Sequence, residues 1–234
     1  MDPQLKSLFE AATRAYLGAG TYAWKFSRGK LRHDPVFFSL LRRGLLPDRG
    51  NLYDLGCGQG VLLSLLGAAS KAFDGGRWPQ GWPPPPTRLA LHGIELREDR
   101  VRAAQKALNG GARVARGDIR AAAFPACTAV VILDVLLYIE PATQRQLLER
   151  VALALQPGGV LLLREADAGA GLPFQITQWA ERIIGMGRGR LWQKLYYRQS
   201  GEWISLLQEI GFSVTTAPMS EGTPFANILF VAKK

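Results

Sequence analysis

Apolar positions change their spacing at residue 51. Beyond it, short apolar runs at 51–55, 89–94, 112–116, 128–133 and 159–165 read as strands. Their consecutive rather than alternating apolar residues predict strands buried on both faces. Between and after them, the segments 59–70, 97–108, 142–154 and 201–210 carry helical periodicity. That alternation predicts an α/β fold with a mostly parallel, doubly wound sheet. Gln156-Pro157-Gly158-Gly159 ends one helix and turns into the fifth strand. Phe212–Ala217 and Ala226–Ala232, joined by a Ser-Glu-Gly-Thr-Pro stretch, predict an antiparallel strand pair at one edge. The total is seven strands.

Residues 1–47 look helical, with Leu5, Leu8, Phe9, Ala12 and Tyr16 at helix-like spacing. Within them lies a basic-aromatic segment from Tyr22 to His33. Asp34-Pro35 then opens another helix, Asp as N-cap and Pro at the first helical position. The expected organisation is an N-terminal helical cap over 1–50 and one main domain over 51–234, with insertions at 74–87 and 167–199. The first insertion, rich in Pro, Gly and Trp, predicts an extended, poorly packed surface loop; a lid or partner contact is the alternative. The second predicts one or two helices lying over the carboxyl ends of the strands. Its apolar residues include Phe174, Trp179, Trp192, Tyr196 and Tyr197.

Composition adds bounds. At 234 residues, 47% hydrophobic and 21% charged, the chain has enough material for one sizeable core. No apolar run reaches the roughly 18 residues of a transmembrane helix, and the first residues lack a secretory pattern. Two cysteines without CxxC spacing argue against structural zinc or a disulfide framework. A reducing cytoplasm is the expected compartment. Net charge is +10. That charge suits nucleic acid, an anionic membrane or an acidic carrier protein, but the arginines are dispersed rather than clustered.

The most informative segment is Tyr53-Asp54-Leu55-Gly56-Cys57-Gly58-Gln59-Gly60. It predicts a buried strand, a glycine turn and a helix whose free N–H groups face a ligand. Asp54 before the turn would repel a pyrophosphate and suits a cationic, nucleoside-like ligand. A dinucleotide-binding site is the rival, but the spacing is G-x-G-x-G instead of G-x-G-x-x-G.

With these residues in order, the chain resembles the class I S-adenosylmethionine-dependent methyltransferases. The resemblance covers about residues 50–165. It rests on Asp54-to-Gly60, Gly93-Ile94-Glu95, Arg116-Gly117-Asp118-Ile119, Val131-to-Tyr138 and Leu155-to-Gly159. It implies a Rossmann-like sheet with S-adenosylmethionine at the strand ends and no metal. By resemblance, Asp54 and the backbone of Gly56, Gly58 and Gly60 hold the methionine and ribose portions. Glu95 takes the ribose hydroxyls, Leu96 packs on adenine, and Asp118 with Ile119 meets the adenine edge. Asp134 lies by the methyl site and Lys30 by a carboxylate of cofactor or substrate.

Methyl transfer is an in-line displacement in which alignment and water exclusion dominate. Where a base is needed, the candidates are His33, Tyr138, Glu140 and Glu165. Asp134 is followed by Val-Leu-Leu-Tyr, not by the Pro-Pro-aromatic motif of base-amine methylases. Nucleic-acid methylation is therefore disfavoured. The aromatic cover points to a small aromatic or polyketide-like acceptor, methylated on O or C. Arg-Gly-Lys-Leu-Arg-His-Asp-Pro and Gly-Thr-Pro-Phe-Ala-Asn are similar to methyltransferases accompanying bacterial aryl-polyene or fatty-acid-like pigment pathways. That similarity implies an acceptor carried on an acyl carrier protein. The competing class is an RNA methyltransferase or a non-catalytic module that binds cofactor or nucleic acid.

Overall fold

The computed structural model describes residues 3–187 and 194–234, without the side chains of 181–187. Seven strands form one sheet: β1 (Arg49–Leu55), β2 (Arg88–Glu95), β3 (Arg113–Arg116), β4 (Cys127–Leu133), β5 (Leu155–Ala166), β6 (Ser213–Pro218) and β7 (Asn227–Lys233). Their order is β3-β2-β1-β4-β5-β7-β6. β7 alone runs antiparallel, pairing with both β5 and β6. The chain winds outward in one direction from β1 and in the other from β4. A crevice opens where neighbouring crossovers diverge, at the carboxyl ends of these two strands.

The helices on this sheet are α1 (Pro3–Arg14), α2 (Thr21–His33), α3 (Val36–Arg42), α4 (Val61–Asp74), α5 (Glu98–Leu108), α6 (Pro141–Ala154), α7 (Leu172–Gly187) and α8 (Ser200–Glu209). Two apolar clusters sandwich the sheet. One joins α1–α5 to one sheet face; the other joins α6 and α8 to the opposite face. The central strands are apolar on successive residues because both faces are covered: Ala129, Val130, Val131 and Ile132 are each fully buried.

The N-terminal helices share the first cluster. Tyr16 donates its hydroxyl to the carbonyl of Gln59 at 2.8 Å, and Ser64 donates to Ala12 O at 2.8 Å. The basic-aromatic stretch is itself a helix, α2, bounded by Gly20 and Asp34. Asp34 Oδ1 accepts from Val36 N at 3.2 Å, and Pro35 has helical φ and ψ, the capping arrangement expected for α3.

The Pro/Gly/Trp loop differs from expectation. Pro85 and Pro86 are buried. Trp78 packs edge-on against Trp82, with ring centroids 5.8 Å apart, and donates Nε1–H to Pro83 O at 3.0 Å. Gln4 Oε1 accepts from Gln80 N at 3.1 Å. The tryptophans supply enough apolar area to fold the polyproline run against α1 and the end of α4. The loop leads into the amino end of β2, away from the crevice, and none of its residues lines the cavity there. It is not a lid.

Candidate active site

The crevice widens into a cavity of about 860 Å³. Its floor is the strand ends, one wall is α2 and the other comprises the turn after β4 and α7. Of the residues expected to form a site, Lys30, His33, Asp54, Gly56, Gly58, Glu95, Leu96, Asp118, Ile119, Asp134 and Tyr138 all line it.

Gly60 does not. It caps α4 in the left-handed region (φ 73°), and a Cβ there would meet Leu108 Cδ1 at 3.0 Å. Its role is the close packing of α5, not ligand contact. Gly56 (φ 79°) faces Val135, where a Cβ would sit 2.5 Å from Cγ2. Gly58 (φ 57°) is the opposite case: a Cβ would meet nothing within 4 Å. It lines the cavity, so that space is left to a ligand.

Asp54 is the last residue but one of β1, paired in register with Gly93 and Val131, and is 4% exposed. Burial, and then the charge of Glu95, push its carboxyl up to about 7. No described residue donates a hydrogen bond to it. A buried acceptor facing a cavity without a donor fits a ligand bringing a cation or N–H groups. Glu95 accepts from Gly58 N at 3.0 Å and from Arg97 N at 2.9 Å, one bond on each oxygen. The carboxylate thus fixes the glycine turn to β2 and keeps two of its four lone-pair positions for hydroxyl donors.

Asp118 is engaged differently from expectation. Arg120 gives it a backbone N–H at 2.9 Å and guanidinium contacts at 2.5–3.0 Å. That pairing holds the Asp118 carboxyl below the usual range. The Arg120 side chain is 55% exposed, so this surface ion pair is weakly held. Leu96 is 53% exposed at the mouth and gives it an apolar side.

The other end of the cavity holds a charge cluster that sequence reasoning missed. Arg164, on β5 and 1% exposed, donates to both carboxylates of Asp34 and Asp134. Lys30 Nζ lies 3.1 Å from Asp34 Oδ2 and 3.9 Å from Asp134 Oδ2. Burial would raise the Asp34 carboxyl, but Arg164 and Lys30 overcome this and hold it at about 2. Asp134 takes a left-handed backbone (φ 58°), which turns the chain sharply out of β4. Lys30 is thus committed to carboxylates of the protein itself, not to a free acid. The only signal in the sequence was a polar Arg-Glu pair closing an apolar strand.

The aromatic cover is narrower than expected. Phe26 and Tyr197 line the cavity, and Phe174 packs edge-on against Tyr197 at 4.9 Å. Tyr22 and Trp179 are 72% and 69% exposed and do not line it. Trp24 packs on the core beneath Arg28, and Tyr196 donates to Glu140 at 3.2 Å. Trp192 lies outside the described residues. His92 stacks on Tyr53 at 4.7 Å within the sheet, a structural position.

A sheet of this order, with an acid-lined crevice at its switch point, is the class I fold of S-adenosylmethionine-dependent methyltransferases. Residues 24–217 match the methyltransferase domain family, and the chain belongs to that family. Over 133 residues, 52% of the chain, it is 30% identical to the carboxy-S-adenosyl-L-methionine synthase of Chromohalobacter salexigens. The match spans 44% of that relative, so the chain covers under half the length of its curated relative. Two solved structures share the fold. Magnesium protoporphyrin IX methyltransferase of Synechocystis, solved with bound SAH, superposes with a TM-score of 0.58 at 20% identity, over 95% of this chain and 93% of that one. Human N-acetylserotonin methyltransferase in complex with SAM gives 0.61 at 16% identity, over 100% and 59%. Among the described residues, no cluster of His, Cys, Asp or Glu is placed to hold a metal.

Proposed function

We propose that the chain transfers a methyl group from S-adenosylmethionine to a small aromatic or polyketide-like acceptor, on oxygen or carbon. The observation that carries this reading is Asp54: buried, without a donor among the described residues, and facing a cavity bounded by a ribose-type carboxylate, Glu95. When bound, S-adenosylmethionine supplies a methyl carbon activated by its sulfonium. The protein's share is alignment and water exclusion. Asp54 accepts from the ammonium group. Glu95 accepts from the ribose hydroxyls while holding Gly58 in place. Leu96 and Ile119 give adenine an apolar seat. Lys30 and Arg164 keep Asp134 fixed at the far end. His33 and Tyr138 stand on facing walls, at the end of α2 and in the turn after β4, and position the acceptor.

An aromatic acceptor fits walls made partly by Phe26, Tyr138 and Tyr197. The two small-molecule methyltransferases that share the fold agree with that class. A net charge of +10 would suit an acidic carrier protein as the delivering partner.

Calorimetry with S-adenosylhomocysteine tests the cofactor half. We expect saturable binding that weakens about 10–100-fold in Glu95→Gln, the loss of charge-assisted bonds. Absence of binding to the wild type would remove the reading. Mass spectrometry for methylated products over a panel of phenols, free and carrier-bound, tests the acceptor half.

A further inference from the structure

One carboxyl that lines the cavity is taken up neither by the proposed cofactor contacts nor by an ion pair among the described residues. Glu165 closes β5, is 2% exposed and lines the cavity. Its Oε1 is pinned by two backbone donors in the turn after β4: Val135 N at 3.2 Å and Leu136 N at 2.7 Å. Its Oε2 accepts from no described residue. The result is a carboxyl with one oxygen fixed and the other unengaged, next to Asp134 at the far end of the cavity. A carboxylate oxygen on the cavity wall with no donor from a described residue is open to a hydroxyl of a ligand.

We propose that Glu165 is the proton acceptor for the nucleophile of the methyl acceptor, a neutral hydroxyl group on an aromatic or enolic ring. The proposal rests on the methyltransferase reading above. In the step, the hydroxyl proton passes to Glu165 Oε2 while the hydroxyl oxygen forms a bond to the methyl carbon. The carbon–sulfur bond breaks, and its electron pair returns to sulfur. The positive sulfonium becomes a neutral thioether and the carboxylate becomes a carboxylic acid, so charge balances.

The surrounding charges favour this residue. Asp134, just after β4, faces it; Arg164 on β5 and Lys30 on α2 pair with Asp134 and with Asp34 beyond the end of α2. Two carboxylates and two cations cancel. Among the described residues of α2, β4 and β5, each cation that lines the cavity is already paired with a carboxylate of the protein. His33, the alternative base, is exposed and has no orienting hydrogen bond from a described residue. Burial first, then Asp134, push the Glu165 carboxyl up to about 8, against the lowering pull of Leu136 N, Val135 N and Arg164. A base in that range is better matched to a phenol, ordinarily near about 10, than a surface carboxylate is.

Two measurements decide it. The first needs neither cofactor nor acceptor. Infrared difference titration of wild type against Glu165→Gln is expected to show one protonated-carboxyl band that disappears as pH rises through about 8. A Glu165 carboxyl still protonated at the alkaline end of the titration, and so unable to accept a proton, overturns the proposal. The second uses the phenol that the mass-spectrometric panel identifies. Glu165→Gln is expected to keep S-adenosylhomocysteine affinity within about twofold and acceptor KM near wild type. It is expected to lose about 10²–10⁴ in kcat, together with the rise of kcat with pH. Glu165→Asp restores part of the loss. His33→Gln leaves the inflection where it is; an inflection abolished by His33→Gln and kept in Glu165→Gln overturns the assignment. Loss of S-adenosylhomocysteine binding in the wild type would instead sink the underlying methyltransferase reading.

Discussion

Asp54 shows how one residue can be shaped for a ligand at the expense of the empty fold. Its carboxyl sits at about 7 in the folded chain against 3.8 ordinarily. The folded state therefore binds this proton more tightly than the unfolded one. Stability is highest where the group is protonated, below 3.8, and falls as pH rises from there to about 7. The cost at neutral pH is on the order of 2–4 kcal/mol. Asp54→Asn removes it. Urea denaturation of the ligand-free variant is expected to show higher stability than wild type above pH 7, and none of the difference at the acid end. The same variant is expected to bind S-adenosylhomocysteine about 10–100-fold more weakly. Wild-type affinity rises as pH climbs through about 7, because the ionised carboxylate is the better acceptor for an ammonium group; calorimetry across that range checks the slope and its absence in Asp54→Asn. The sequence told of this carboxylate because a strand, an acid and alternate glycines fall within eight residues. It did not tell that Arg120 would occupy Asp118, since a side chain two residues along reaches back only in the folded turn.

At the scale of elements, the sheet was legible and the clamp on its far end was not. Strands buried on both faces leave a direct trace, an unbroken apolar run, and the observed limits of β1–β4, β6 and β7 lie within two residues of those read from it. The limit of β5 was missed at its start, because Gln156-Pro157-Gly158-Gly159 reads as a turn yet continues the strand from Leu155. Arg164 and Asp34 are 130 positions apart, so no local pattern joins them. The same holds for the tryptophan loop, whose packing depends on α1, some 75 residues upstream. The clamp ties three elements together: Asp34 at the junction of α2 and α3, Asp134 after β4, and Arg164 in β5. Removing the cation strands two carboxylates in a buried site. Arg164→Met is therefore expected to cost about 3–5 kcal/mol in urea denaturation. The loss also depends on pH. Asp34 is held at about 2, below its ordinary 3.8, so the clamp's contribution is full above 3.8 and disappears as pH falls toward about 2. Hydrogen exchange is expected to speed up first in α2 and α3, which the clamp secures to the strand ends; exchange rising evenly across the sheet instead would show that the clamp serves the core alone.

For the whole molecule, the decisive question is whether the cavity is built for a nucleoside in the folded state or the basic surface is built for nucleic acid. The two make different demands on stability. A ligand that binds only the folded chain adds RT ln(1 + [L]/Kd), about 2.7 kcal/mol at a hundredfold excess over Kd. For a domain of this size that gain raises Tm by about 5–10 °C. We expect S-adenosylhomocysteine to give a shift of this order, nearly independent of salt, because Asp54 and Glu95 act from buried positions that counterions screen poorly. A dinucleotide at the same concentration is expected to give none, since its pyrophosphate meets two carboxylates where a phosphate loop would offer bare N–H groups. Binding to RNA would show the reverse signature: retention that falls steeply with salt through counterion release and leaves the cavity's ligand affinity untouched. A salt-steep response to RNA together with no thermal shift from S-adenosylhomocysteine would mean that the charge of +10, not the acid-lined crevice, is what this fold displays to its partner.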